Sequence, residues 1–144
     1  MGHWEKDAPG VMELPSGRLV RGRSLRRSPA AAPFPTYGVY LTSTEPPDVP
    51  WETHWIKWPD FRLPTDRPAA LTTFREALEA TGTGRVEFAC DGGRGRTGTA
   101  LACLAVLDGL RADQAVDYVR RHYDKRAVET PWQKRYVLNL LTRG

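Results

Sequence analysis

The sequence predicts an α/β protein built on a central, mostly parallel sheet flanked by helices. Three observations carry that expectation. A buried strand pattern at Arg85 to Ala89 runs through a glycine-rich loop into Thr97 to Asp108, which is apolar nearly all round its helical wheel and closes at Gly109. Strand-like stretches precede this unit and amphipathic helical patterns lie on either side of it. The 144 residues match the length of one domain. A single domain over residues 1–144 is therefore expected, with a core at about 37–143 and an N-terminal strand and loop region at 1–36.

In chain order, Gly17 to Leu25 and Tyr37 to Leu41 read as strands, and Pro29, Pro33 and Pro35 make the segment between them irregular. Pro46, Pro47 and Pro50 mark a loop, after which Glu52 to Trp58 has the aromatic and β-branched content of a short strand. From Pro68 to Ala80, the spacing of Leu71, Phe74, Ala77 and Leu78 predicts an amphipathic helix ended by Gly82 and Gly84. Arg111 to Tyr123 forms another helix on Ala115, Val116, Val119 and Tyr123. Thr130-Pro131-Trp132-Gln133 supplies an N-cap, an N1 proline and an N3 glutamine ahead of Val137, Leu138, Leu140 and Leu141.

Composition narrows the function classes. With 40% hydrophobic and 26% charged residues the chain is neither disordered nor fibrous. Its longest apolar run, Ala100 to Leu107, is far below the roughly 18 residues of a membrane span. The N-terminus lacks a signal-peptide pattern, so a cytoplasmic location and no membrane partner are expected. A net charge of +4 favours anionic partners. Arg18, Arg21, Arg23, Arg26 and Arg27 form a basic stretch that reads first as a solvated face and second as a steering surface. His3, His54 and His122 have no metal-ligand spacing, so no metal is expected. Cys103 sits in an apolar run as a packing residue, too far along its helix for a disulfide with Cys90.

The chemistry concentrates in Val86-Glu87-Phe88-Ala89-Cys90-Asp91-Gly92-Gly93-Arg94-Gly95-Arg96-Thr97-Gly98-Thr99. Glycines let successive backbone N–H groups turn inward as a nest, and the following helix adds the positive end of its dipole, so an anion can be held without lysines. Arg96 can bind two phosphate oxygens with its planar fork. The same field favours a thiolate over a thiol at Cys90, which makes that residue the expected nucleophile.

Cys90 to Arg96, followed by Thr97 and Gly98, resembles the phosphate-binding loop of the cysteine-dependent protein tyrosine phosphatases. Trp58-Pro59-Asp60-Phe61-Arg62-Leu63-Pro64 is similar to the mobile loop that carries their general acid. The resemblance covers roughly Trp55 to Tyr136, and the short chain looks like the compact dual-specificity branch. It implies a phosphatase-type single-domain fold and hydrolysis of phosphotyrosine, with phosphoserine and phosphothreonine as further substrates, through a phosphocysteine intermediate. Cys90 would attack phosphorus. Arg96 and the loop residues Asp91, Gly92, Gly93, Arg94 and Gly95 would hold the oxygens. Asp60 would protonate the leaving group and then activate water, and the Thr97 hydroxyl would stabilise the leaving sulfur or, read locally, cap the helix. Partners would be a phosphorylated protein or peptide and the product inorganic phosphate. No cofactor is implied.

The chain departs from the family pattern in places. Ala89 stands where a histidine usually precedes the nucleophile. Glu129 falls on the first of two water-positioning glutamines and Gln133 on the second, although a capping box already accounts for Gln133. Asp91 stands where lipid-directed relatives tend to carry lysine, with Arg94 as a partial offset, and nucleic acid is likewise disfavoured. Tyr37, Trp51, Trp55 and Trp132 read as core first and pocket lining second. Two other classes stay open: a phosphate-binding module without turnover, suggested by Ala89 and Glu129, and a rhodanese-like sulfurtransferase, in which Asp60 has no task.

Overall fold

A computed structural model describes residues 2–27 and 33–142. Among them the strands are β1 (Val11–Glu13), β2 (Leu19–Ser24), β3 (Tyr37–Thr42), β4 (Glu52–Lys57) and β5 (Val86–Cys90). The helices are α1 (Arg67–Ala80), α2 (Gly95–Leu107), α3 (Ala112–His122) and α4 (Pro131–Leu138). The sheet order is β1-β2-β5-β3-β4, and every neighbouring pair is parallel except β1 with β2. The expected α/β architecture is therefore present. Pro29 lies outside the described residues.

Local sequence explains most of the boundaries. The Asp66 side chain accepts from the backbone N–H of Ala69 and opens α1, with Pro68 in its first turn. Thr130 and Gln133 form the expected capping box at α4. That helix stops at Leu138, leaving Leu140 and Leu141 beyond it. Helix α2 starts at Gly95, two residues before the expected position, and packs against β2, β5 and the other three helices. Strand β1 leaves no sequence signal, because three residues with one buried side chain, Met12, are too short to show alternation.

β5 is buried along its whole length, and that includes Glu87. Its carboxylate accepts from Arg21 and Arg23 on β2 and from the Tyr40 hydroxyl on β3, which in turn accepts from the Trp51 indole N–H. Arg21 also lies 4.2 Å from the centre of the Trp4 ring. The reading of this arginine stretch as a solvated face is thus overturned at Arg21 and Arg23, whose side chains are 8% and 10% exposed. A carboxylate in a central strand requires such partners, because an unpaired charge there would be prohibitively desolvated. Burial alone pushes the Glu87 carboxyl up, but the hydrogen bonds and charges of Arg23 and Arg21 outweigh it and hold it below the usual value.

A depressed carboxylate stabilises the fold above the ordinary carboxylate range, and that contribution is lost as pH falls through the folded value. Glu87→Gln removes the buried charge with which Arg21 and Arg23 pair and should cost about 3–5 kcal/mol at pH 7. Urea unfolding across pH 7 to 3 should show the gap between wild type and variant narrowing on acidification. A gap independent of pH would show that Glu87 is not so linked.

Candidate active site

Cys90 ends β5 opposite Ser24 of β2, at the carboxyl ends of the parallel strands, where open α/β sheets place their ligands. The loop that follows is held by its carbonyls. Cys90 O accepts from Leu25 N (2.8 Å), and Asp91 O accepts from the Ser24 hydroxyl (2.7 Å). Gly92 O accepts from the Arg27 guanidinium, and Gly93 O from the Tyr123 hydroxyl (2.5 Å). In a trans peptide the N–H points opposite to the C=O, so four carbonyls anchored outward turn the next four N–H groups inward. One of these, Gly93 N–H, donates to Cys90 Sγ at 3.2 Å.

This arrangement depends on missing side chains. Gly93 has φ +74°, and a Cβ there would come within 2.8 Å of Ser24 N. A Cβ on Gly22 would meet the Tyr123 ring at 2.5 Å. Burial, then the negative charges of Cys90 and Asp124, pushes the Tyr123 phenol up, which keeps it a donor. In the sequence Tyr123 reads only as an apolar-face residue of the helix expected at Arg111 to Tyr123, and in the structure it caps the C-terminus of α3.

Cys90 is almost fully buried yet lines a cavity of about 240 Å³. The Thr97 hydroxyl lies 3.0 Å from its sulfur. The helix-cap alternative for Thr97 is overturned, since Arg94 holds the N-cap position and makes no side-chain cap bond. Arg96 is 2% exposed; its Nη1 donates to Trp58 O at 3.0 Å, and its Nη2 lies 3.4 Å from Asp60 Oδ1 and 3.6 Å from Asp91 Oδ2. Its Nε is buried without an acceptor among the described residues, an arrangement that suits an anionic ligand.

Asp60 also lines the cavity. Fully buried Trp58 anchors its loop by donating from the indole N–H to Arg62 O at 2.7 Å. Of the expected phosphate-binding residues, Gly92, Arg94, Gly95 and Arg96 line the cavity. Gly93 reaches the sulfur through its N–H, and the Asp91 side chain is half-exposed. Arg94 does not offset Asp91; its Nε lies 3.4 Å from Asp124, and Asp91 instead faces Arg96 and Arg26.

Glu129 and Gln133 separate. The Glu129 side chain lines the cavity, with its carboxylate over Gly95, where a Cβ would come within 2.2 Å of it. Val128, at φ +65°, has a backbone that β-branched residues rarely adopt, and Arg120 holds it by donating to Ala127 O and Val128 O, each at 2.8 Å. Gln133 is fully buried outside the cavity lining, with its Oε1 on Glu129 N and Thr130 N and its Nε2 on Arg62 O. The pocket role offered for Tyr37, Trp51, Trp55 and Trp132 is not realised. Tyr37 stacks on His54, Trp51 and Trp55 donate to Tyr40 and Thr42, and the aromatic residue on the cavity is Phe61. Arg26 and Arg27 complete the lining, so the basic stretch has a cavity-facing end. Cys90 and Cys103 are both free thiols, and burial pushes the Cys103 thiol far up.

Residues 35–137 match the family model described as protein-tyrosine phosphatase. An uncharacterised protein of Methanocaldococcus jannaschii is 34% identical over 89 residues, or 62% of this chain; the chain spans 55% of that relative's length. The crystal structure of Tk-PTP in its active form superposes with TM-score 0.62 at 29% identity, covering 73% of this chain and 76% of that one. Kinase associated phosphatase, with its catalytic-site cysteine replaced by serine, superposes with TM-score 0.73 over 96% of this chain and 99% of that one. At 14% identity it speaks to the fold alone.

The glycines of the loop differ in what they tolerate. Gly92 has open space where a Cβ would go, whereas Gly93 has both a positive φ and the β2 backbone against it. Gly93→Ala should destabilise the protein by about 1–3 kcal/mol and abolish binding of inorganic phosphate, while Gly92→Ala stays within about 0.5 kcal/mol of wild type. Urea unfolding and phosphate titration read both effects.

Proposed function

Because the chain belongs to the protein-tyrosine phosphatase family, we propose that it hydrolyses phosphotyrosine, and as a dual-specificity enzyme phosphoserine and phosphothreonine, in proteins or peptides. The single unit over residues 1–144 and a cytoplasmic location are part of the same proposal. The observation that carries it is the Cys90 sulfur, 3.2 Å from Gly93 N and 3.0 Å from the Thr97 hydroxyl, in a cavity shared with Arg96 and Asp60.

In this reading the Cys90 thiolate attacks phosphorus in line, forming an S–P bond as the ester P–O bond breaks. Asp60 gives its proton to the leaving oxygen. The inward N–H groups and Arg96 hold the three equatorial oxygens, on which the transferring charge is spread. Asp60, now a carboxylate, takes a proton from water as its oxygen attacks phosphorus. The S–P bond breaks, the Thr97 hydroxyl stabilises the returning thiolate, and inorganic phosphate leaves. Glu129 orients that water in this reading; its lining of the cavity supports the assignment, as does the engagement of Gln133 with Arg62 O. No cofactor enters the cycle.

The test is hydrolysis of a phosphotyrosyl peptide across pH without added metal. Cys90→Ser should abolish turnover, and Asp60→Asn should slow it about 10²-fold or more and flatten the alkaline fall of the profile. Wild type that binds the peptide without turning it over, and loses binding on Arg96→Ala, would make the chain a phosphate reader instead.

A further inference from the structure

The acid loop is held from a second direction besides the phosphate loop. Phe61, next to Asp60, has φ +60°, a conformation that residues other than glycine seldom adopt. Its carbonyl accepts from the indole N–H of Trp132 at 2.5 Å. The next carbonyl, Arg62 O, accepts from Gln133 Nε2 at 3.2 Å as well as from the Trp58 indole. Two successive carbonyls of the loop are therefore bound by two successive side chains in the first turn of α4. The capping box sets that geometry, because Gln133 Oε1 is tied to Thr130 N and Glu129 N and its amide nitrogen is left for Arg62. At the other end of the loop, Trp58 O accepts from Arg96.

We propose that Trp132 and Gln133 are a latch that holds the acid loop over the cavity and places the Asp60 carboxyl, making them positioning residues for proton transfer to the leaving group. Trp132 is 47% exposed, a poor place for so large an apolar side chain unless its N–H has a task. The latch ties the loop to the same short segment that carries Glu129, so the acid and the second carboxylate of the cavity share one support. The inference rests on the reading of Asp60 as general acid.

Trp132→Phe removes the indole N–H from a half-exposed site and leaves the capping box intact. The readout is the rate of phenyl phosphate hydrolysis relative to that of 2,4-dinitrophenyl phosphate, whose leaving group needs little protonation. Misplacing an acid should slow the first ester about tenfold more than the second. In an Asp60→Asn background, Trp132→Phe should add no further leaving-group dependence. Equal slowing of both esters, an unchanged ratio, or effects that multiply with Asp60→Asn would overturn the latch. Asp60→Asn that slows both esters equally, with Cys90→Ser inactive, would remove the acid reading and the latch with it while leaving Cys90 as nucleophile.

Discussion

The structure turns on the orientation of four peptide planes. The carbonyls of Cys90, Asp91, Gly92 and Gly93 are bound from outside the loop, which turns the opposite edge of each plane inward, and one of those edges, Gly93 N–H, reaches the sulfur. Free carbonyls could rotate inward and present negative dipoles to an anion. The supports come from residues 24–27, which continue β2, and from the end of α3, so the loop inherits its shape from both the sheet and the helical layer. Gly22 and Gly93 are small because those two layers meet there with no space left for a Cβ.

This accounts for what was legible in the sequence. Helices α1, α3 and α4, strands β2 to β5 and the Cys90 to Gly98 loop are written in local signals: apolar spacing, caps, glycine and proline. The residues that brace the loop are not. Tyr123 carries no mark distinguishing it from any other aromatic residue on an amphipathic helix, yet it reaches a carbonyl 30 positions away. Arg120 appears solvated in a helical wheel but grips the carbonyls of Ala127 and Val128. Positive φ at Phe61 and Val128 is invisible in residue types that normally avoid it, and only tertiary contacts enforce it.

Charge shows the same division between composition and placement. The basic stretch of β2 and its continuation divides by residue. Arg21 and Arg23 neutralise Glu87 inside the fold, Arg18 donates to Leu78 O at the end of α1, and Arg26 and Arg27 line the cavity. Part of the positive charge counted from the sequence is thus consumed internally. What faces a ligand is set locally, by Arg26, Arg27, Arg94 and Arg96 against Asp60 and Glu129. Net charge describes the long-range field of the chain; the cavity has its own balance.

The sheet order also bears on how the molecule assembles. β5 is the last strand in sequence and the central one in space, inserted between β2 and β3. Those two strands have no edge to share until it arrives, so during synthesis the amino-terminal strands must wait for some sixty residues of intervening chain before the sheet can close. Cys90, the proposed nucleophile, sits at the tip of that closing strand. The step that completes the sheet is therefore also the step that brings the loop to its outside supports, and a half-folded chain displays the Cys90 thiol without the bonds that shape the loop around it.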